Sequence, residues 1–124
     1  MRRLAPFLLL VSAWTLAAQA PVKGPEELRI FFGNHCVKCH GVDGTAVDAA
    51  GKKLGGRDFT DATWRAEVKD PELVKTIRKG LFFGLKMPAF KDQLSEADAL
   101  AMVQEVLRKT EKGKVVAPAG EAPR

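Results

Sequence analysis

The chain opens on an apolar run from Leu4 to Ala18, preceded by Arg2 and Arg3 and closing in the triplet Ala18-Gln19-Ala20. Beyond it, apolar residues recur either at helical spacing or without period. Leu28, Phe31/Phe32, His35/Cys36 and Cys39 fall three or four apart behind Glu26 and Glu27, whose charges suit the positive end of a helix. With Gly41 as the stop, the pattern predicts a helix from Glu26 to Cys39. From Gly41 to Thr60 the chain is rich in Gly, Asp and Lys and has no period. This predicts a loop longer than most connections, and loops of that size usually serve a function. "TDATWRAEV" predicts a short helix capped by Thr60 or Asp61. Asp70 as N-cap, Pro71 in the first turn, and apolar Leu73, Val74 and Ile77 predict another, stopped by Gly80. "GLFFGLKMPAFKDQL" is punctuated by glycine yet apolar for a loop. The last helix is expected to start at Ser95, with Asp98 completing an approximate capping box, and to reach about Lys112. It should bury Leu100, Val103, Val106 and Leu107. No stretch alternates with period two, so the expected fold class is all-α: three main helices joined by loops.

The apolar opening changes the picture of where the protein works. A basic start, a run shorter than the ~20 residues of a membrane span and small residues at its end describe a secretory signal peptide over residues 1–20. Cleavage is expected after Ala20 or Ala18; Pro21 disfavours the former, because its locked φ resists the extended backbone a peptidase needs. An uncleaved anchor is the alternative. The formal charge of +5 falls to +3 without Arg2 and Arg3, and no block of like charges indicates a nucleic-acid arm. At 124 residues the chain forms at most one domain, expected over 21–112 with a flexible tail over 113–124. Export places the protein in the periplasm, where a bare cysteine pair would tend to oxidise.

The chain has two cysteines, Cys36 and Cys39, and His40 follows at once. A redox dithiol would lie beside a βαβ pattern, and none is visible. A structural zinc site needs four ligands; Cys39 and His40 are adjacent, and His35 is the one other histidine. C-x-x-C-H is the signature of covalent haem attachment. Cys36 and Cys39 lie about one helical turn apart, so both sulfurs can face one porphyrin edge, and His40 is directed toward the iron. One haem c, bound through two thioethers, is the expected cofactor. A second axial ligand is then required. His35 precedes Cys36 on the same helix and cannot cross to the opposite face. Met102 lies mid-helix among Ala and Val and reads as core. Met87, on a loop and followed by the stiffening Pro88, is the expected ligand.

These segments resemble the class I cytochrome c family over nearly all of Glu26 to Lys109. The resemblance rests on "FGNHCVKCHGVDG", "LGGRDFTDATW", "DPELVKTIRKGL", "KMPAF" and "LSEADALAMVQEVLRK", and is strongest to small bacterial monohaem domains, free or fused to oxidases and dehydrogenases. It implies one-electron transfer, His40 and Met87 as axial ligands, and a fold whose first and last helices cross beside an edge-exposed haem. Two departures stand out. Leu28 and Val106 occupy positions where the family usually pairs a glycine with an aromatic residue. Lys52, in "GKKL", occupies the slot of the proline whose carbonyl receives the ligand histidine's Nδ1–H.

Other residues admit two readings each. Arg57 and Trp64 are candidate donors to the haem propionates, which need them as buried anions; equally, Arg57 reads as a solvated loop charge and Trp64 as core. Leu54, Phe59, Ile77, Phe82, Phe83 and Phe90 are expected pocket walls. Lys38, Lys52, Lys53, Lys79, Lys86 and Lys91 flank the two haem-bordering segments and would steer redox partners that are acidic at their docking surface. Asp43, Asp48, Asp58 and Asp92 interleave with them, as on any mixed surface. Membrane contact is expected only through a partner complex or an uncleaved anchor. No acid–base or nucleophilic constellation is visible, so the chain is not read as an enzyme. The expected function is a periplasmic one-electron carrier or the cytochrome subunit of a redox complex. The alternative is a gas-binding or sensing haem protein in which Met87 dissociates.

Overall fold

The computed structural model describes residues 21–120, so the expected signal peptide lies outside the described residues. Helix α1, Pro25–His35, starts with proline in its first turn and glutamates behind it, and buries Leu28, Phe32 and Gly33. The regular turn is distorted at Cys36, whose φ widens to −111° while ψ stays at −30° and its N–H still bonds the Phe32 carbonyl. A single further turn, α2, spans Val37–His40 and ends at Gly41, held at φ 77°. The helix predicted from Glu26 to Cys39 is thus two, hinged at the first cysteine.

Local capping fixes the next elements. Asp61 accepts the Trp64 N–H at 2.7 Å and starts α3, Ala62–Glu67. Helix α4, Asp70–Lys79, is preceded by Lys69 rather than capped by Asp70. Asp70 instead sits in the first turn and turns its carboxylate outward to Arg108, at 2.9 Å, and Gln104, at 3.2 Å. A long-range guanidinium thus captures the side chain that the sequence offers as a cap. Leu73, Val74 and Ile77 face inward, and Gly80 at φ 70° ends the helix.

Ser95 and Asp98 do form a reciprocal box, each side chain accepting the other's N–H at 3.0 Å, and they open α5, Glu96–Ala101. The helix continues as a π-helical turn, Met102–Val106, and a 3-10 turn, Leu107–Lys109, ending before the expected Lys112. Its buried stripe is Ala99, Met102, Val103, Val106 and Leu107, the i, i+3, i+4, i+7, i+8 pattern of a core-facing helix. Leu100 falls beside that stripe and is 38% exposed, contrary to expectation.

Phe32, Leu28, Leu94 and Val103 are the large side chains buried most completely. They mark the centre of the core, where α1 and α4 pack against the last helix. Leu28 and Val106 are both buried, in keeping with a first-helix/last-helix crossing built from medium residues. No strand longer than an isolated bridge occurs among the described residues, and the fold is all-α.

The segment after Lys112 is docked, where the sequence pointed to a loose tail. Gly113 N–H donates to Asp43 at 2.9 Å, and Val116 N–H donates to the Val42 carbonyl at 2.8 Å. Val116 packs partly against the core, and Ala117 lies over Gly33. No described helix is long and apolar enough to cross a membrane.

Candidate functional site

The hinge at Cys36 and the turn that follows bring Cys36 and His40 onto one cleft, which Met87 also lines. Phe31, Phe59, Ile77, Phe90, Leu94, Met102 and Leu107 complete a wall that exposes only apolar surface. Phe59, Ile77 and Phe90 were legible as pocket residues. Phe82 and Phe83 are exposed, and neither they nor Leu54 line this cleft. An aperiodic loop has no inward face to infer, so apolarity alone could not place them. Phe31, Leu94, Met102 and Leu107 were missed as pocket residues because helical spacing marks burial without saying what lies beyond it. Met102 is core as read, 2% exposed, yet it also borders the cleft.

His40 is fixed from two sides. Its Nδ1 lies 3.0 Å from the Arg57 carbonyl oxygen. A carbonyl only accepts, so Nδ1 carries the proton and Nε2 keeps its lone pair. Its ring stacks on Phe59, 4.4 Å between centroids and 16° from parallel. Burial lowers the His40 pKa below 6.5 and outweighs the Arg57 carbonyl, which raises it, so the ring is neutral at pH 7. Phe59 is backed in turn by Trp64 at 5.3 Å, and its carbonyl accepts from Arg65 Nε at 2.6 Å.

The carbonyl that orients His40 therefore belongs to Arg57, not Lys52. Residues 47–53 close their own turn, with a Val47–Lys53 bridge and the Lys52 carbonyl accepting the Asp48 N–H at 2.9 Å. The "GGR" stretch lies on the cysteine motif itself: Gly56 N–H donates to the Cys39 carbonyl at 2.8 Å. A Cβ on Gly56 would strike that oxygen and come within 2.6 Å of His40 Nδ1. Arg57 thus reaches the site through its main chain, with its side chain exposed. Trp64 is buried one layer behind, with the Arg108 guanidinium 5.5 Å from its ring.

Burial, with Cys39 adding to it, pushes the Cys36 thiol up to about 12, whereas Cys39 is exposed. Met87 is half-buried at the foot of a closed loop, where its carbonyl accepts the Leu81 N–H at 3.0 Å. Gly80 is required there, because a Cβ would collide with that same carbonyl. His35 is exposed and lies tilted against the Phe31 ring, 4.3 Å between centroids. Among the described residues, no group of three or more His, Cys, Asp or Glu is placed to hold a metal ion. A neutral imidazole with a free Nε2, a thioether, two thiols and apolar walls form a donor set that fits haem.

The model of the family described as cytochrome c oxidase, cbb3-type, subunit III matches residues 24–104, and the chain belongs to that family of c-type cytochromes. Among solved structures it is similar to "KustC0563 c-type cytochrome", at 35% identity and a TM-score of 0.53, covering 64% of this chain and 92% of that one. It is also similar to "c-type cytochrome NirC", at 26% identity and a TM-score of 0.53, covering 73% of this chain and 91% of that one. No curated protein matches. Membership implies covalently bound haem c and a part in electron transport.

Proposed function

We propose that the chain is a periplasmic one-electron carrier, free or as the cytochrome subunit of a redox complex, and holds a single haem c. Cys36 and Cys39 would hold the haem by thioethers, and His40 and Met87 would ligate its iron. The observation that carries this reading is the convergence of Cys36, His40 and Met87 on one apolar cleft. Bound there, haem supplies an iron centre that takes up and releases one electron.

The chain's own residues prepare for that role. The Arg57 carbonyl and the Phe59 ring fix the tautomer and plane of His40 before any ligand is met. Apolar walls exclude water, and a thioether ligand favours the reduced state more than a second imidazole would. The Leu81–Met87 bridge ties down the loop that carries Met87, which supports a carrier with a closed sixth position over a gas-binding protein.

Intact mass spectrometry of the holoprotein, with mapping of the Cys36–Cys39 peptide, tests the attachment. One haem's added mass on that peptide is the expected result; two unmodified or disulfide-linked cysteines would contradict it. Carbon monoxide added to the reduced protein should leave its spectrum unchanged, whereas a shifted spectrum would favour the gas-binding reading.

A further inference from the structure

The tip of the Met87 loop points its apolar side chains outward. Phe82, Phe83 and Leu85 are 65%, 105% and 89% exposed, with only Gly84 between them. Phe82 and Phe83 both have left-handed backbone, at φ 50° and 55°, which is costly for residues with a Cβ. The turn is nonetheless well tied: Gly84 N–H bonds the Leu81 carbonyl at 3.2 Å, and Leu85 N–H bonds the Phe82 carbonyl at 3.0 Å. A strained, hydrogen-bonded turn thus presents two phenylalanines and a leucine to the outside.

Around its base stand exposed cations. Lys86 places its ammonium 4.9 Å over the Phe82 ring. Lys79 ends α4, and Lys91 N–H bonds the neighbouring Arg78 carbonyl at 3.2 Å, which brings Lys91 to the same end of that helix. Asp92 is the acidic residue nearest this collar in sequence.

We propose that the 81–86 tip is a membrane-surface contact, with Phe82, Phe83 and Leu85 entering the interface of an anionic bilayer and Lys79, Lys86 and Lys91 facing its headgroups. The collar's charge complements anionic lipid, and apolar insertion with basic flanks supplies the two signals that stable peripheral attachment requires. Among the described residues nothing covers Phe83, so the tip presents a knob. A deformable lipid interface accepts such a knob directly, whereas a protein would need a matching pit. A second copy would bring two lysine collars together.

The test is flotation of the holoprotein with vesicles of phosphatidylcholine containing phosphatidylglycerol, and with vesicles of phosphatidylcholine alone. Phe82→Asn with Phe83→Asn removes the apolar surface but suits the left-handed backbone, so the fold is kept. Binding to the anionic vesicles should fall about tenfold or more in this variant. It should fall about fivefold for each of Lys79→Gln, Lys86→Gln and Lys91→Gln at low salt. Wild-type and Asn-variant proteins that bind equally, or do not bind at all, overturn the assignment. So does a dimer that the Asn variant dissolves, or haem ring-current shifts showing that Phe82 and Phe83 lie against the porphyrin.

Discussion

Two adjacent glycines should answer the same substitution in opposite ways. Gly56→Ala would place a methyl against the Cys39 carbonyl oxygen and 2.6 Å from His40 Nδ1, both atoms of the haem-attachment motif. Neither neighbour is the free end of a flexible chain, so the loop must move away and the His40–Arg57 hydrogen bond must lengthen with it. Overpacking of this kind costs about 1–3 kcal/mol, and loss of that hydrogen bond about 1 kcal/mol more. Gly55 has no atom within 4 Å of its would-be Cβ and no left-handed φ. Gly55→Ala should therefore gain about 0.4–1 kcal/mol by restricting the unfolded chain. For a domain of this size each kcal/mol moves the melting temperature by roughly 4–8 °C. Thermal unfolding of the two holoprotein variants beside wild type should show Gly56→Ala melting about 8–30 °C lower and Gly55→Ala unchanged or slightly higher. The midpoint potential should shift only in Gly56→Ala. Equal melting temperatures for the two variants would refute the claim that the "GGR" loop is moulded onto the cysteine motif.

Further expectations concern the core, the first helix and the sixth ligand. Leu28→Ala, at a fully buried position, should cost about 2–5 kcal/mol in denaturant unfolding, and a cost below about 1 kcal/mol would contradict the helix crossing. Burial alone would raise the Asp98 pKa, but N–H donors from Lys23 at 2.8 Å and Ser95 at 3.0 Å hold it below 3.8. Its contribution is therefore present above pH 3.8 and lost as pH falls through the lower folded value. Asp98→Asn should be less stable at pH 7 and flatter in acid, and an unchanged acid profile would exclude this anchor. Met87→His should lower the midpoint potential, while Met102→Leu, a nearly volume-conserving swap, should leave it close to wild type. Potentiometric titration of both variants decides between the two methionines that border the cleft.

What the sequence revealed was chiefly what neighbours in the chain decide together. The C-x-x-C-H spacing, the Asp61 cap and the Ser95–Asp98 box each lie within four residues, and their chemistry needs no tertiary partner. Asp70 shows the limit: it has the right type for a cap, but Arg108, thirty-eight positions on, takes its carboxylate. The Arg57 carbonyl seventeen residues from His40 was equally hidden, because any residue offers a carbonyl and only the folded loop selects one. "VVAPAGEAPR" looked like a tail because composition cannot show Val116 pairing with Val42. Loop position and the neighbouring Pro88 pointed to Met87, as did the family resemblance; the structure adds the Leu81 bridge that ties its loop down.

The central claim is that Met87 closes the iron's sixth position in a haem c held by Cys36, Cys39 and His40. It is tested most directly by the weak red absorption band of a methionine–ferric iron bond. The oxidised wild-type holoprotein should show that band, Met102→Leu should keep it, and Met87→Ala should lack it. A band that persists unchanged in Met87→Ala would place the ligand elsewhere and contradict the account.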